Sequence, residues 1–109
     1  MNGRASWLDR VILGLLIDRD MCGYEMAGSI GSAAPGNPES GGQAGFWVEG
    51  RVYPALRRLE RAGILCGHWL DPGSGAPRRR YYSLTPRGVR AARAGMAYRV
   101  APASNGARP

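Results

Sequence analysis

Apolar residues recur along this chain at two spacings, every three to four residues and every second residue, and the switch between them divides it. From Ser6 to Ile17, the residues Trp7, Leu8, Val11, Ile12, Leu15 and Leu16 stand at helical spacing behind a serine able to cap the first turn. A helix apolar around so much of its circumference must be covered on more than one side, by the centre of a core or, in a dimer, also by a partner helix. Asp18 to Cys22 break the pattern and Gly23 supplies a turn. A second helix is expected from Tyr24 to about Ser32, with Tyr24, Ala27 and Ile30 facing inward and Gly31 at its end. Residues 31–45 are rich in Gly, Pro, Ser and Ala, show no period and read as a loop of the surface-insertion kind. Phe46, Trp47 and Val48 return the chain to the core.

The stretch from Gly50 to Gly63 is where a helical apolar stripe and a dense set of arginines share the same few turns. Val52, Leu56 and Leu59, with Ala55 and Ala62 beside them, fall on one side, and Arg51, Arg57, Arg58 and Arg61 fall away from it. Pro54 is compatible with the first turn, where its missing N–H would have no intrahelical partner. The helix is therefore expected to start near Glu49 to Arg51, with Glu49 at the positive end of its dipole and Gly63 closing it in the left-handed conformation.

After Gly63 the period shortens. Ile64 to Leu70 reads as a strand, Asp71 to Pro77 as a loop by every turn signal, and Arg78 to Leu84 as the returning strand of a β-hairpin. Thr85-Pro86 opens a closing helix, with threonine as cap and proline at the first helical position. Val89, Ala92, Met96 and Val100 share one side of it, while Gly88 and Gly95 weaken it by about 1 kcal/mol each relative to Ala. The chain thus reads as one α+β, mainly α, domain over residues 6–98, its closing helix spanning about 86–98, followed by a disordered tail at 99–109.

Composition adds a partner. The 109 residues fit one domain with one modest core, and the formal net charge is +7. There is no lysine, so all 15 basic residues are arginine, whose planar fork suits phosphate and guanine, although a GC-rich genome would produce the same bias. A polyanionic partner follows from the positive balance. The apolar run from Val11 to Ile17 is far short of the ~20 residues of a membrane span. Asp9 before it and Asp18-Arg19-Asp20 after it, with no small-x-small cleavage site, argue against a signal peptide. Cys22 and Cys66 stand in no metal-ligand spacing, so reduced thiols in a cytoplasm are expected. Cys66 and His68 would share a strand face, but two ligands do not make a tetrahedral zinc site, and no metal or cofactor is expected. A single histidine, no paired carboxylates and no phosphate-cradling glycine loop argue against an enzyme.

Three helices, a two-stranded wing and a C-terminal helix, with charge on the third helix and the hairpin, describe a winged helix-turn-helix. Met21-Cys-Gly-Tyr-Glu25, Glu49 through Leu65, and Pro77 through Gly88 resemble, in the right order, the three signature segments of the PadR family of transcriptional regulators. The resemblance covers roughly Leu8 to Met96. It implies a bacterial, homodimeric repressor of double-stranded DNA with a palindromic operator, the third helix entering the major groove and the wing touching the flanking backbone. Carried onto this chain, Gly50, Arg51, Tyr53 and Pro54 form the groove-entering end, Arg57 and Arg58 follow along the helix, and Arg78, Arg79, Arg80 and Tyr81 form the wing. Trp7, Leu8, Val11 and Leu15 of the first helix would meet Val89, Ala92 and Met96 of a partner's last helix. A small aromatic effector belongs to the same expectation. Arg51 stands where the family commonly has Thr or Ser, exchanging a hydroxyl cap for a charge, and the closing helix is shorter than family dimers usually use.

Several of these residues also have plainer readings. Arg57, Arg58 and Arg61 could form a solvated face with pairs one turn away, worth tenths of a kcal/mol. One of Tyr81 and Tyr82 must face the core, since neighbours on a strand point to opposite sides, and Trp7, Trp47 and Trp69 read as core or dimer-contact residues. The alternative to a DNA-binding regulator is a winged-helix protein-interaction subunit without operator binding of its own.

Overall fold

A computed structural model of the chain describes residues 6–33 and 48–99. Helix α1 (Trp7–Asp18) is followed by a two-residue strand β1 (Met21–Cys22) and helix α2 (Gly23–Ala33). A π-helical turn (Val48–Val52) feeds helix α3 (Tyr53–Arg61), and then come strands β2 (Leu65–Leu70) and β3 (Arg79–Leu84). Helix α4 (Pro86–Ala91) runs into a second π-helical turn (Ala92–Met96). Phe46, Trp47, Val100, most of the 31–45 stretch and the tail after Arg99 lie outside the described residues.

The helix ends follow local chemistry. Ser6 caps α1 by accepting from the Asp9 N–H at 3.1 Å, and Thr85 caps α4 by accepting from the Gly88 N–H at 3.0 Å, with Pro86 in its first turn. Gly63, at φ 80°, closes α3: its N–H reaches the Glu60 carbonyl at 3.0 Å and that of Ile64 reaches Leu59 at 3.0 Å. Those paired bonds are the Schellman arrangement, which needs a left-handed residue. The Thr85 hydroxyl donates back to the Gly63 and Ile64 carbonyls, so the end of α3 and the start of α4 are held in one knot.

The core gathers Val11, Ile12, Leu13 and Leu16 of α1, Met26, Ala27 and Ile30 of α2, Val52, Ala55, Leu56 and Leu59 around α3, and Leu65 and Tyr82 of the sheet. Four expectations are corrected here. The sheet has three strands in the order β1-β3-β2, because Met21 and Cys22 pair antiparallel with Tyr82 and Tyr81. Tyr24 is 61% exposed rather than inward, because the buried stripe of α2 runs through Gly23, Met26, Ala27 and Ile30 and leaves Tyr24 beside it. Gly31 does not end α2, which continues through Ala33. The closing helix is not continuous to residue 98: Gly95, at φ 103°, breaks it and turns the chain back.

That return covers the second side of α1. The Tyr98 N–H donates to the Arg10 carbonyl at 2.9 Å, and the Arg10 guanidinium donates to the Gly95 carbonyl at 3.2 Å and lies 5.2 Å from the Tyr98 ring centre. Arg99 pairs with Asp18 at 2.7 Å. Gly14 makes the approach possible, since a Cβ there would stand 1.7 Å from the Tyr98 carbonyl oxygen. Within the protomer, α1 therefore packs along its own closing segment. Val11, at 0% exposed, belongs to the protomer's own core and has no surface to offer a partner.

Gly88 has a reason for being glycine that helix propensity misses. It is buried inside α4, and a Cβ there would lie 2.3 Å from the Ile64 carbonyl oxygen. Propensity alone makes Gly88→Ala stabilising by about 1 kcal/mol, whereas crowding against backbone costs about 1–3 kcal/mol. The expected outcome is a net loss of stability, read as a lower urea midpoint at unchanged slope; a higher midpoint would mean that α4 does not press on Ile64.

Candidate nucleic-acid interface

Helix α3 is a two-sided object. Ala55, Leu56 and Leu59, with Val52 just ahead of it, are buried, while Gly50, Arg51, Tyr53, Pro54, Arg57, Arg58 and Arg61 are exposed. The buried stripe fixes the rotation of the helix about its own axis. The leading end is fixed as well: the Tyr53 ring lies against the start of α2, where a Cβ on Gly23 would meet its Cε1 at 2.4 Å. Gly23 is thus required for space, not for the turn expected of it.

The β-hairpin stands beside this helix, in the register Leu65↔Leu84 through Leu70↔Arg79. That register puts Trp69 opposite Arg80. Trp69 is 55% exposed, with the Arg78 and Arg80 guanidinium carbons 5.4 and 5.5 Å from its ring centre, so it is neither core nor hidden. On the other strand face Arg79 lies 5.8 Å from the Tyr24 ring centre and within 4.0 Å of the Cys22 sulfur. Between helix and hairpin runs an open cleft of about 450 Å³ lined by Cys22, Tyr24, Tyr53, Arg57, Trp69, Arg78, Arg79, Arg80 and Tyr82.

The arginines singled out in the sequence are not equivalent once their partners are known. Arg58 donates to the nearly buried carboxylate of Asp9, which ties α3 to α1. Arg80 donates to Glu60 at 2.8 Å, which ties the hairpin to α3. Among the described residues no carboxylate pairs with Arg57, Arg78 or Arg79, and all three line the cleft. Arg51 and Pro54 stand exposed outside the cleft at the leading end of α3, and Tyr81 is half-buried on the opposite strand face from Tyr82. Tyr24, Trp69 and Cys22 are members of the cleft that the sequence did not mark. The cross-strand register could have found Trp69, by setting it opposite an arginine. The described residues contain no group of His, Cys, Asp and Glu able to hold a metal ion, and no helix long and apolar enough to cross a membrane.

A helix anchored by one face, its other face lined with arginine and flanked by an arginine-bearing hairpin, defines the winged helix-turn-helix class. Within that class the chain belongs to the transcriptional regulator PadR-like family, whose model matches residues 12–94. It is similar to a PadR family transcription regulator of Clostridium difficile, at 26% identity over 78% of each chain and a TM-score of 0.61. A transcriptional regulator of Clostridium thermocellum is similar at 27% identity, over 81% of this chain and 77% of that one, with a TM-score of 0.57. Bacillus subtilis PadR, solved in complex with operator DNA, shares the fold at 19% identity and a TM-score of 0.60, matching 94% of this chain but 53% of its own length. No curated protein sequence matches the chain.

The cleft also sets an alkaline limit. Burial raises the Tyr82 phenol above its ordinary value of 10, against the lowering effect of the Arg80 hydrogen bond and charge. For Arg80 burial works to lower the guanidinium, but the charge and hydrogen bond of Glu60, joined by those of Tyr82, leave it raised and a cation. Because Tyr82 holds its proton longer folded than unfolded, its contribution to stability is complete below pH 10 and is lost as the pH climbs through the raised value. Urea midpoints are expected to fall above about pH 10, and to fall less steeply in Tyr82→Phe; equal slopes would show that other groups govern the decline.

Proposed function

We propose that this chain is a sequence-specific regulator of double-stranded DNA, acting as a homodimeric repressor, with α3 in the major groove and the hairpin on the flanking backbone. One observation carries the reading: Arg57, Arg78 and Arg79, without carboxylate partners among the described residues, converge on one cleft beside a helix whose orientation the core dictates. A major groove about 12 Å wide admits one α-helix. Phosphate contacts set position and base contacts set sequence. Gly50, Arg51, Tyr53 and Pro54 form the end that enters, with Arg51 the residue for a base edge. Arg57, Arg78, Arg79 and Tyr81 serve the backbone, while Arg58, held by Asp9, braces α3. That a protein of the same fold was solved on operator DNA supports this assignment.

The test is a salt titration of duplex binding. Log affinity is expected to fall linearly with log salt, with a slope of about −0.9 for each phosphate neutralised. Arg51→Ala should relax sequence preference, and Arg79→Ala should weaken all duplexes alike with a slope shallower by about 1. No binding at low salt would favour the interaction subunit instead, and equal, sequence-specific losses in both variants would overturn the division of roles.

For self-association, the face left open is narrower than the sequence implied. Trp7, Leu8, Leu15, Ala92 and Met96 already pack against the protomer's core. Ile17 and Val89 remain exposed, around an apolar cleft of about 290 Å³ that also takes in Leu84, Ala92 and Arg93. A second copy seated there gives the two-fold symmetry a palindromic operator requires. Val89→Asp is expected to shift the protein to monomer in sedimentation at micromolar concentration, and a wild-type monomer would refute the dimer.

A further inference from the structure

We infer that Arg80 is a positioning residue and not a DNA contact: gripped by Glu60 in a slot that Gly67 leaves open, it sets the angle of the wing against α3 and thereby places Trp69 and Arg78 on the nucleic-acid face. The inference deepens the DNA-binding reading and rests on it.

The outer half of the hairpin needs such a tie. The third strand, β1, pairs only with Tyr81 and Tyr82, so the Trp69–Arg80 and Leu70–Arg79 pairs stand beyond its reach. There the side chain of Arg80 turns to α3 and donates to Glu60 at 2.8 Å, both residues being about one-third exposed. Its guanidinium lies 5.7 Å from the Tyr82 ring centre and 5.5 Å from that of Trp69, which carries Arg78 in turn. Gly67 makes the slot, because a Cβ there would stand 2.7 Å from the Arg80 Nη2. Arg79, pointing to the other strand face, rests on Tyr24 and Cys22. Adjacent arginines therefore have different work: one holds the wing to the reading helix, and the next remains without a carboxylate among the described residues.

Removing the carboxylate of Glu60 separates the two roles by sign. If Arg80 gripped a phosphate, Glu60→Gln would free it and remove a negative charge near DNA, so binding would tighten and the salt slope would steepen. If Arg80 positions the wing, Glu60→Gln loosens the tie. Affinity for the duplex best retained from a random pool by the wild-type protein is then expected to fall about three- to fivefold, the scale of one partly exposed ion pair. Reversing the pair, E60R with R80E, keeps the net charge and is expected to return affinity to within about twofold of the wild type. In the DNA-free protein, amides of β2 and β3 should exchange faster in Glu60→Gln and those of α1 should not. Binding by Glu60→Gln as tight as the wild type or tighter, no recovery in the reversed pair, or unchanged exchange in the hairpin would each overturn the inference. Failure of the wild type to bind any duplex would instead sink the DNA-binding reading, while amide exchange still decides whether Glu60 holds the wing.

Discussion

The burial of one stripe of α3 governs the rest of the structure. Ala55, Leu56 and Leu59, with Val52 at the entry, are taken out of water against α1 and α2, and each large side chain so buried contributes roughly 1.5–3 kcal/mol. That area sets the helix's rotation, and with it which side chains face outward. Arg51 and Arg57 lie outward because the apolar positions take the inward side. The knot at Gly63 and Thr85 extends the same constraint along the chain: where α3 ends, the hairpin must begin, and where the hairpin returns, α4 must start.

Charge on such a protein cannot be read as function by counting. Six arginines on α3 and the hairpin look alike in the sequence, yet Arg58 and Arg80 are occupied by Asp9 and Glu60, each bridging two elements. An arginine half in solvent and half in a carboxylate's field is a fastener whose charge is locally offset. Arg57, Arg78 and Arg79 keep theirs. Two of the six guanidinia thus hold the surface in shape, three line the cleft, and Arg61 stands exposed outside it.

Signals that act over one turn were legible from the residues alone. The Ser6 and Thr85 caps, Pro86, the left-handed Gly63, the stripe of α3 and the hairpin around its Gly/Pro loop all depend on neighbours a few positions away, and all stand where their chemistry puts them. What was missed is nonlocal. Met21 and Cys22 have no strand signature, because their hydrogen bonds come from Tyr81 and Tyr82 far along the chain. Tyr24 looked inward by spacing, but Gly23 takes the first place in the buried stripe, with the Tyr53 ring against it. Gly23 read as a turn residue, Gly88 as a weak point in a helix and Gly67 as an ordinary strand position, when each is a gap filled by a distant ring, carbonyl or guanidinium. A glycine in a periodic element is thus as informative about what lies against it as about its own backbone.

The same logic explains why α1 is apolar nearly all round in a chain this small. One side meets the core, and the other meets the segment after Gly95, whose positive φ redirects it along Arg10, Gly14 and Asp18. Those three positions are four residues apart, one line along the helix, and each receives a different contact: a ring and a carbonyl at Arg10, a backbone oxygen against Gly14, a guanidinium at Asp18. Only a glycine at the centre of that line lets the backbone approach so closely. The closing segment consequently supports the helix on which Asp9 sits, and Asp9 holds Arg58 of α3. The segment after Gly95, folded back along α1, thus steadies α3 through one intermediary.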